Sequence, residues 1–93
     1  MFTRVYRVQI KPALRAEFEP LFRTVARASV ETAPGCVQVI LGEATPQAPD
    51  EYAMISVWES RAALADFAGP DWSVPHIPDG MERFVETCWL HHY

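Results

Sequence analysis

The stretch Glu51–Phe67 (EYAMISVWESRAALADF) constrains this chain most. Tyr52, Ala53, Met54, Ile55, Val57 and Trp58 form a dense apolar run of strand length. Glu59 and Ser60 end it, and Ser60 is placed to cap a helix whose Leu64 and Phe67 fall on one side. Tyr52, Met54 and Trp58 alternate with Ala53, Ile55 and Val57, so the strand is apolar on both faces. A single helix layer covers only one face of a sheet, so the other needs a partner.

The rest of the chain builds around this unit. In Phe2–Lys11, Phe2, Tyr6, Val8 and Ile10 alternate with Thr3, Arg7, Gln9 and Lys11, which predicts a strand with Val5 as its exception. Pro12 ends that strand and suits a first helical turn. Leu14, Phe18, Leu21, Phe22 and Val25 recur at three and four, and Ala28 or Ser29 continues the stripe. Arg15, Glu19, Arg23 and Arg27 lie off it, which predicts a helix running to Thr32 with one core-facing side. Ala33-Pro34-Gly35 is a stop and turn. Cys36–Gly42 (CVQVILG) is β-branched and apolar and predicts a second strand, with Val37, Val39 and Leu41 opposing Cys36 and Ile40. Glu43–Asp50 carries two prolines and predicts a loop with a mobile tip. Ala68–Gly80, with three prolines and two glycines, predicts an irregular segment with one short turn at Trp72–Val74. Met81–Tyr93 predicts a fourth strand.

The order β-α-β-β-α-β over residues 1–93 predicts one α+β domain. Right-handed crossovers in that order give the ferredoxin-like arrangement: a four-stranded antiparallel sheet with two helices on one face. A chain of this length buries roughly 60–65% of its unfolded surface, so its own core is thin. Since strands two and three are apolar on both sides, the simplest cover for the bare face is a second copy, a homodimer.

Charge and cysteine content narrow the function. Eight Lys and Arg against twelve Asp and Glu leave a net charge of −4. That balance disfavours a phosphate-binding surface, so no nucleic-acid partner is expected. No run approaches the ~20 apolar residues of a membrane span. The segment MFTRVYRVQI has no signal-peptide pattern, so the expectation is a cytoplasmic protein without a membrane partner. Cys36 and Cys88 lack the spacing of a zinc motif or a disulfide framework and read as buried strand thiols. His91 and His92 are adjacent on a strand and leave on opposite faces, so they cannot chelate one ion together, and no metal site is expected. There is no Ser-His-Asp pattern, Gly-rich phosphate loop or paired-carboxylate spacing.

Pro34-Gly35-Cys36 ahead of a strand, then Val57-Trp58-Glu59-Ser60 with Ala63-Leu64 and Phe67 behind it, resembles the antibiotic biosynthesis monooxygenase domain. The likeness covers nearly the whole chain in element order. It implies a dimeric α+β barrel, the superfamily of quinone-forming, cofactor-independent oxygenases and of the haem-degrading enzymes. The haem-degrading members use an Asn on the first strand, a Trp on the second helix and a His after it. By position these fall on Tyr6, Phe67 and, with a one-residue shift, His76. A Phe has no indole N–H and a Tyr replaces the amide, so haem degradation is disfavoured.

What the resemblance implies instead is oxygenation of a small aromatic or phenolic substrate by O₂ without metal, flavin or other cofactor. An alternative is a non-catalytic or stress-associated barrel that holds a small hydrophobic ligand. His76 sits in WSVPHIPDG between two prolines, a stiff setting for a general base. Tyr6, Trp58, Phe67 and Trp72 are the candidates to hold an aromatic ring, with Trp72 in the loop expected to cover the cleft. A strand arginine inside the barrel would orient a phenolate or carboxylate, but the expectation for Arg4, Arg7 and Arg83 is a solvated edge.

Overall fold

A computed structural model describes residues 1–93. Four strands, β1 (Phe2–Ile10), β2 (Cys36–Gly42), β3 (Glu51–Trp58) and β4 (Val85–His92), form one antiparallel sheet in the order β2-β3-β1-β4. β1 therefore lies inside the sheet, paired from Phe2↔Trp58 to Gln9↔Glu51 on one side and from Arg4↔His92 on the other. The long helix α1 is composite. A tight turn at Pro12–Leu14 leads into Arg15–Leu21, a widened turn at Phe22–Ala26, and a last α-helical piece at Arg27–Glu31. The second helix, α2 (Arg61–Ala68), starts at the Ser60 cap, whose Oγ accepts the Ala63 N–H at 3.1 Å. This is the expected ferredoxin-like α+β fold, with both helices on one face. No helix is long and apolar enough to cross a membrane.

The core lies between that face and the helices. Val8, Ile10, Tyr52, Met54 and Trp58 of the sheet meet Phe18, Phe22, Ala26 and Val30 of α1 and Leu64 of α2. Phe18 is the hub, with ring centroids 4.9 Å from Tyr52, 5.2 Å from Phe22 and 5.5 Å from Phe84. The Tyr52 hydroxyl leaves this cluster to donate to Glu19 Oε1 at 2.6 Å.

The buried stripe of α1 differs from the expected one. Val25 is 47% exposed, while the buried positions fall every fourth residue, at 18, 22, 26 and 30. A regular α-helix rotates such a series steadily away from the core. The widened turn at Phe22–Ala26 holds more residues per turn and keeps the series in line. It follows Pro20, which has no N–H to return to the preceding turn. β4 also begins later than expected. Met81 and Phe84 are buried in the core, and a short turn at Glu82–Phe84 lets the Phe84 carbonyl accept the Lys11 N–H at 2.9 Å. Cys36 and Cys88 are on strands but only half-buried.

The other sheet face carries Val5, Ile55, Val57 and Ala53, together with Ile40 at 46% and Trp89 at 37% exposure. Ile40, Ile55 and Val5 form one row across three strands. Beside it Arg7 forks onto Glu51 at 3.1 Å for both contacts, and its guanidinium lies 4.8 Å from the Trp89 ring centre. Arg83 is likewise exposed and pairs with Glu17 at 2.6 Å. Of the three arginines expected on strands, Arg7 and Arg83 are solvated as expected, Arg83 from the turn before β4; Arg4 is not.

Candidate functional site

β1 and β3 place two polar residues in otherwise apolar helix-facing stripes. Arg4 shares its side of β1 with Tyr6, Val8 and Ile10, and Ser56 shares its side of β3 with Tyr52, Met54 and Trp58. The register sets Arg4 directly between Ser56 and His92. Arg4 is only 5% exposed. Its Nη1 donates to the Trp72 carbonyl at 2.6 Å and lies 3.2 Å from His92 Nε2, and its Nη2 donates to the Val74 carbonyl at 3.2 Å. Every ion pair of the protein involves Arg7, Arg15, Arg23, Arg27 or Arg83, so the Arg4 charge has no carboxylate partner.

Two adjoining cavities open beside this row, beneath α1 and the loop after α2. The larger has a volume of about 40 Å³ and is lined mainly by Tyr6, Phe22, Met54, His76, Ile77 and Met81. The smaller has a volume of about 30 Å³ and is lined by Arg4, Tyr6, Met54, Ser56, Phe67 and His76, with Val30 shared between the two. The walls are mostly apolar with a few polar groups, the make-up of a small-molecule site. No three His, Cys, Asp or Glu side chains converge as ion ligands.

The titratable groups here are pushed toward neutrality. His76 is exposed on its outer side, but its partial burial, with the Arg4 charge adding to it, moves it below the usual imidazole range, and Asp79 only partly opposes this. His76 is therefore a neutral imidazole near pH 7, able to accept a proton. Burial, helped by Cys88, holds the Tyr6 hydroxyl well above its usual range despite Arg4, so it remains an O–H donor. His92 is lowered by burial and then by Arg4.

The loop bearing His76 has no regular structure between Gly69 and Gly80, apart from two turns, closed by Val74 N–H to the Asp71 carbonyl at 3.2 Å and by Met81 N–H to the Pro78 carbonyl at 3.0 Å. The two Arg4 bonds to Trp72 and Val74 are the hydrogen bonds that tie its span to the sheet. Ring packing completes the attachment. His76 lies 4.4 Å from Phe67, and Trp72 meets His92 edge-on at 4.6 Å and Phe2 at 5.5 Å.

Of the five residues singled out from sequence, Tyr6 and His76 line both cavities and Phe67 lines the smaller. Trp58 and Trp72 line neither. Trp58 is wholly buried behind Phe67, 5.1 Å between centroids, and its Nε1 donates to Ser56 Oγ at 3.0 Å. Trp72 braces the loop against Phe2 and His92 and offers its carbonyl to Arg4. Arg4 and Ser56 were missed as lining residues. The signal was their parity: each is a polar residue at the core-facing phase of an apolar strand.

A family model described as antibiotic biosynthesis monooxygenase matches residues 1–71. No curated protein matches the chain. Among solved structures, a Bordetella bronchiseptica protein named as a candidate antibiotic biosynthesis monooxygenase is similar, at 25% identity and a TM-score of 0.71, covering 99% of this chain and 93% of that one. A Deinococcus radiodurans protein named in the same way gives a TM-score of 0.76 at 15% identity, covering 100% and 90%. A Nitrosomonas europaea protein gives 0.73 at 14%, covering 100% and 96%.

Proposed function

Because the chain belongs to the antibiotic biosynthesis monooxygenase family, we propose that it oxygenates a small phenolic substrate with O₂ by a cofactor-independent route. The observation that carries this reading is a neutral His76 facing a largely apolar cavity that also exposes the buried Arg4 cation. His76 takes the acidic proton of the substrate. The resulting anion is electron-rich, and the low-polarity walls with Arg4 nearby hold it in place. Tyr6 donates a hydrogen bond from its hydroxyl to a ring oxygen, and Phe67, backed by Trp58, packs against the ring. The anion itself passes electrons to O₂. For a ring methylene flanked by phenols, one oxygen atom becomes the new carbonyl. The other leaves as water with the two hydrogens that the carbon gives up.

The apolar row Ile40, Ile55 and Val5 supports a second part of the reading, that the bare sheet face pairs with a second copy. The test of activity is O₂ uptake by metal-stripped protein supplied with a dihydroxyanthrone. Uptake above the buffer rate, reduced by about 10²-fold or more in His76→Ala, is the expected result. No uptake across a panel of such phenols overturns the reading. Binding of those phenols without uptake assigns the protein to ligand holding.

A further inference from the structure

Buried charges in proteins are paired or coordinated, because a lone ion in a low-polarity interior loses most of its solvation. Arg4 breaks that rule. It is almost wholly buried, it has no carboxylate partner, and its neighbours Tyr6, Ser56, His76 and His92 carry no negative charge. Its hydrogen bonding is also incomplete. A guanidinium has five N–H groups in a planar fork. Two on Nη1 meet Trp72 and His92, and one on Nη2 meets Val74. The Nε–H and the second Nη2–H have no protein acceptor, and Arg4 lines the smaller cavity. Two N–H groups of one guanidinium are what a carboxylate or a phenolate oxygen accepts from.

We infer that the cavity selects an aromatic anion over its neutral counterpart, with Arg4 as the countercharge. The ligand's oxyanion sits against Arg4 in the smaller cavity, and its ring extends past Tyr6 and Phe67 toward the larger one. Tyr6 and Ser56 are the remaining donors within the same lining. This deepens the proposed function, since it rests on the same cavity, but it concerns binding and requires no turnover.

Two probes separate the sources of the anion. Calorimetry compares 2-naphthoate with the isosteric 2-naphthamide, and absorbance titration follows the apparent pKa of 4-nitrophenol in excess protein. The expected result is a preference of at least about tenfold for naphthoate, or a fall of about one unit in the nitrophenol pKa, either of which is abolished in Arg4→Met. Preference for naphthoate alone assigns a carboxylate, and the nitrophenol shift alone assigns a phenolate. Equal affinities together with an unshifted nitrophenol overturn the inference, as does a preference that survives Arg4→Met. The wild-type comparison decides the matter even if that variant fails to fold. Anion preference without O₂ uptake by any phenol leaves this inference standing and removes the oxygenase reading; uptake without anion preference does the reverse.

Discussion

Replacing Gly35 by alanine should be among the most damaging small substitutions in this chain. Gly35 sits in the turn between α1 and β2 at φ +85, and its carbonyl accepts the Glu59 N–H at 2.8 Å. A Cβ added there would lie 2.5 Å from the Cβ of Ala63 in the first turn of α2. The left-handed backbone costs an ordinary residue about 1–2 kcal/mol. Forcing two methyl groups apart adds about 1–3 kcal/mol, because Ala63 has no flexible end to swing away. Restricting the unfolded chain returns about 0.4–1 kcal/mol. The net destabilisation is about 2–4 kcal/mol, or a Tm lower by about 10–25 °C. Urea unfolding at one fixed protein concentration, followed by tryptophan fluorescence, measures it. The double variant with Ala63→Gly separates the two causes. Ala63→Gly alone costs up to about 1 kcal/mol of helix propensity, but it removes the methyl that the added Cβ would strike. The pair should therefore be less destabilised than the sum of the singles by about 1–3 kcal/mol. A cost below about 0.5 kcal/mol for Gly35→Ala, or strict additivity with Ala63→Gly, would refute the reasoning.

Other outcomes follow from the site. Arg4→Met removes the two hydrogen bonds holding the 69–80 loop to the sheet, so chymotryptic cleavage after Trp72 should accelerate by about tenfold or more. An unchanged cleavage rate would show that ring packing alone fixes the loop. His76 and His92 have native pKa values below the ordinary value of about 6.5, so the unfolded chain binds protons that the folded chain excludes. Stability is full above that value and declines as pH falls below it, and His76→Gln should flatten the decline measured by urea midpoints between about pH 7 and pH 5. A slope that is identical in the variant would contradict the assignment. Ile55→Glu places a charge in the centre of the bare sheet face, and sedimentation at micromolar concentration should show single copies for the variant and pairs for the wild type. Wild-type protein sedimenting as single copies would remove the pairing.

Much of the fold was legible because its causes are local. The alternation in Phe2–Ile10 and Glu51–Trp58, the Ser60 cap and the Pro34-Gly35 turn each follow from neighbouring residues, and the element order then leaves few topologies open. The stripe of α1 was less legible, since Val25 fits a regular helical period and only the widened turn after Pro20 moves it outward. Trp58 and Trp72 look like ring-holding residues by composition, yet one fills the core behind Phe67 and the other braces a loop.

Residue spacing along the chain was therefore enough to determine the ferredoxin-like framework and the two-sided apolar sheet, and the family resemblance pointed to Tyr6, Phe67 and His76 as residues to watch. Only the tertiary structure decided that Arg4, in the same strand phase as Tyr6, is the buried cation of the cavity. Strand periodicity states which side a residue faces. Whether a charge on that side meets water, a carboxylate or two loop carbonyls depends on what residues 68 positions away in the chain place above it.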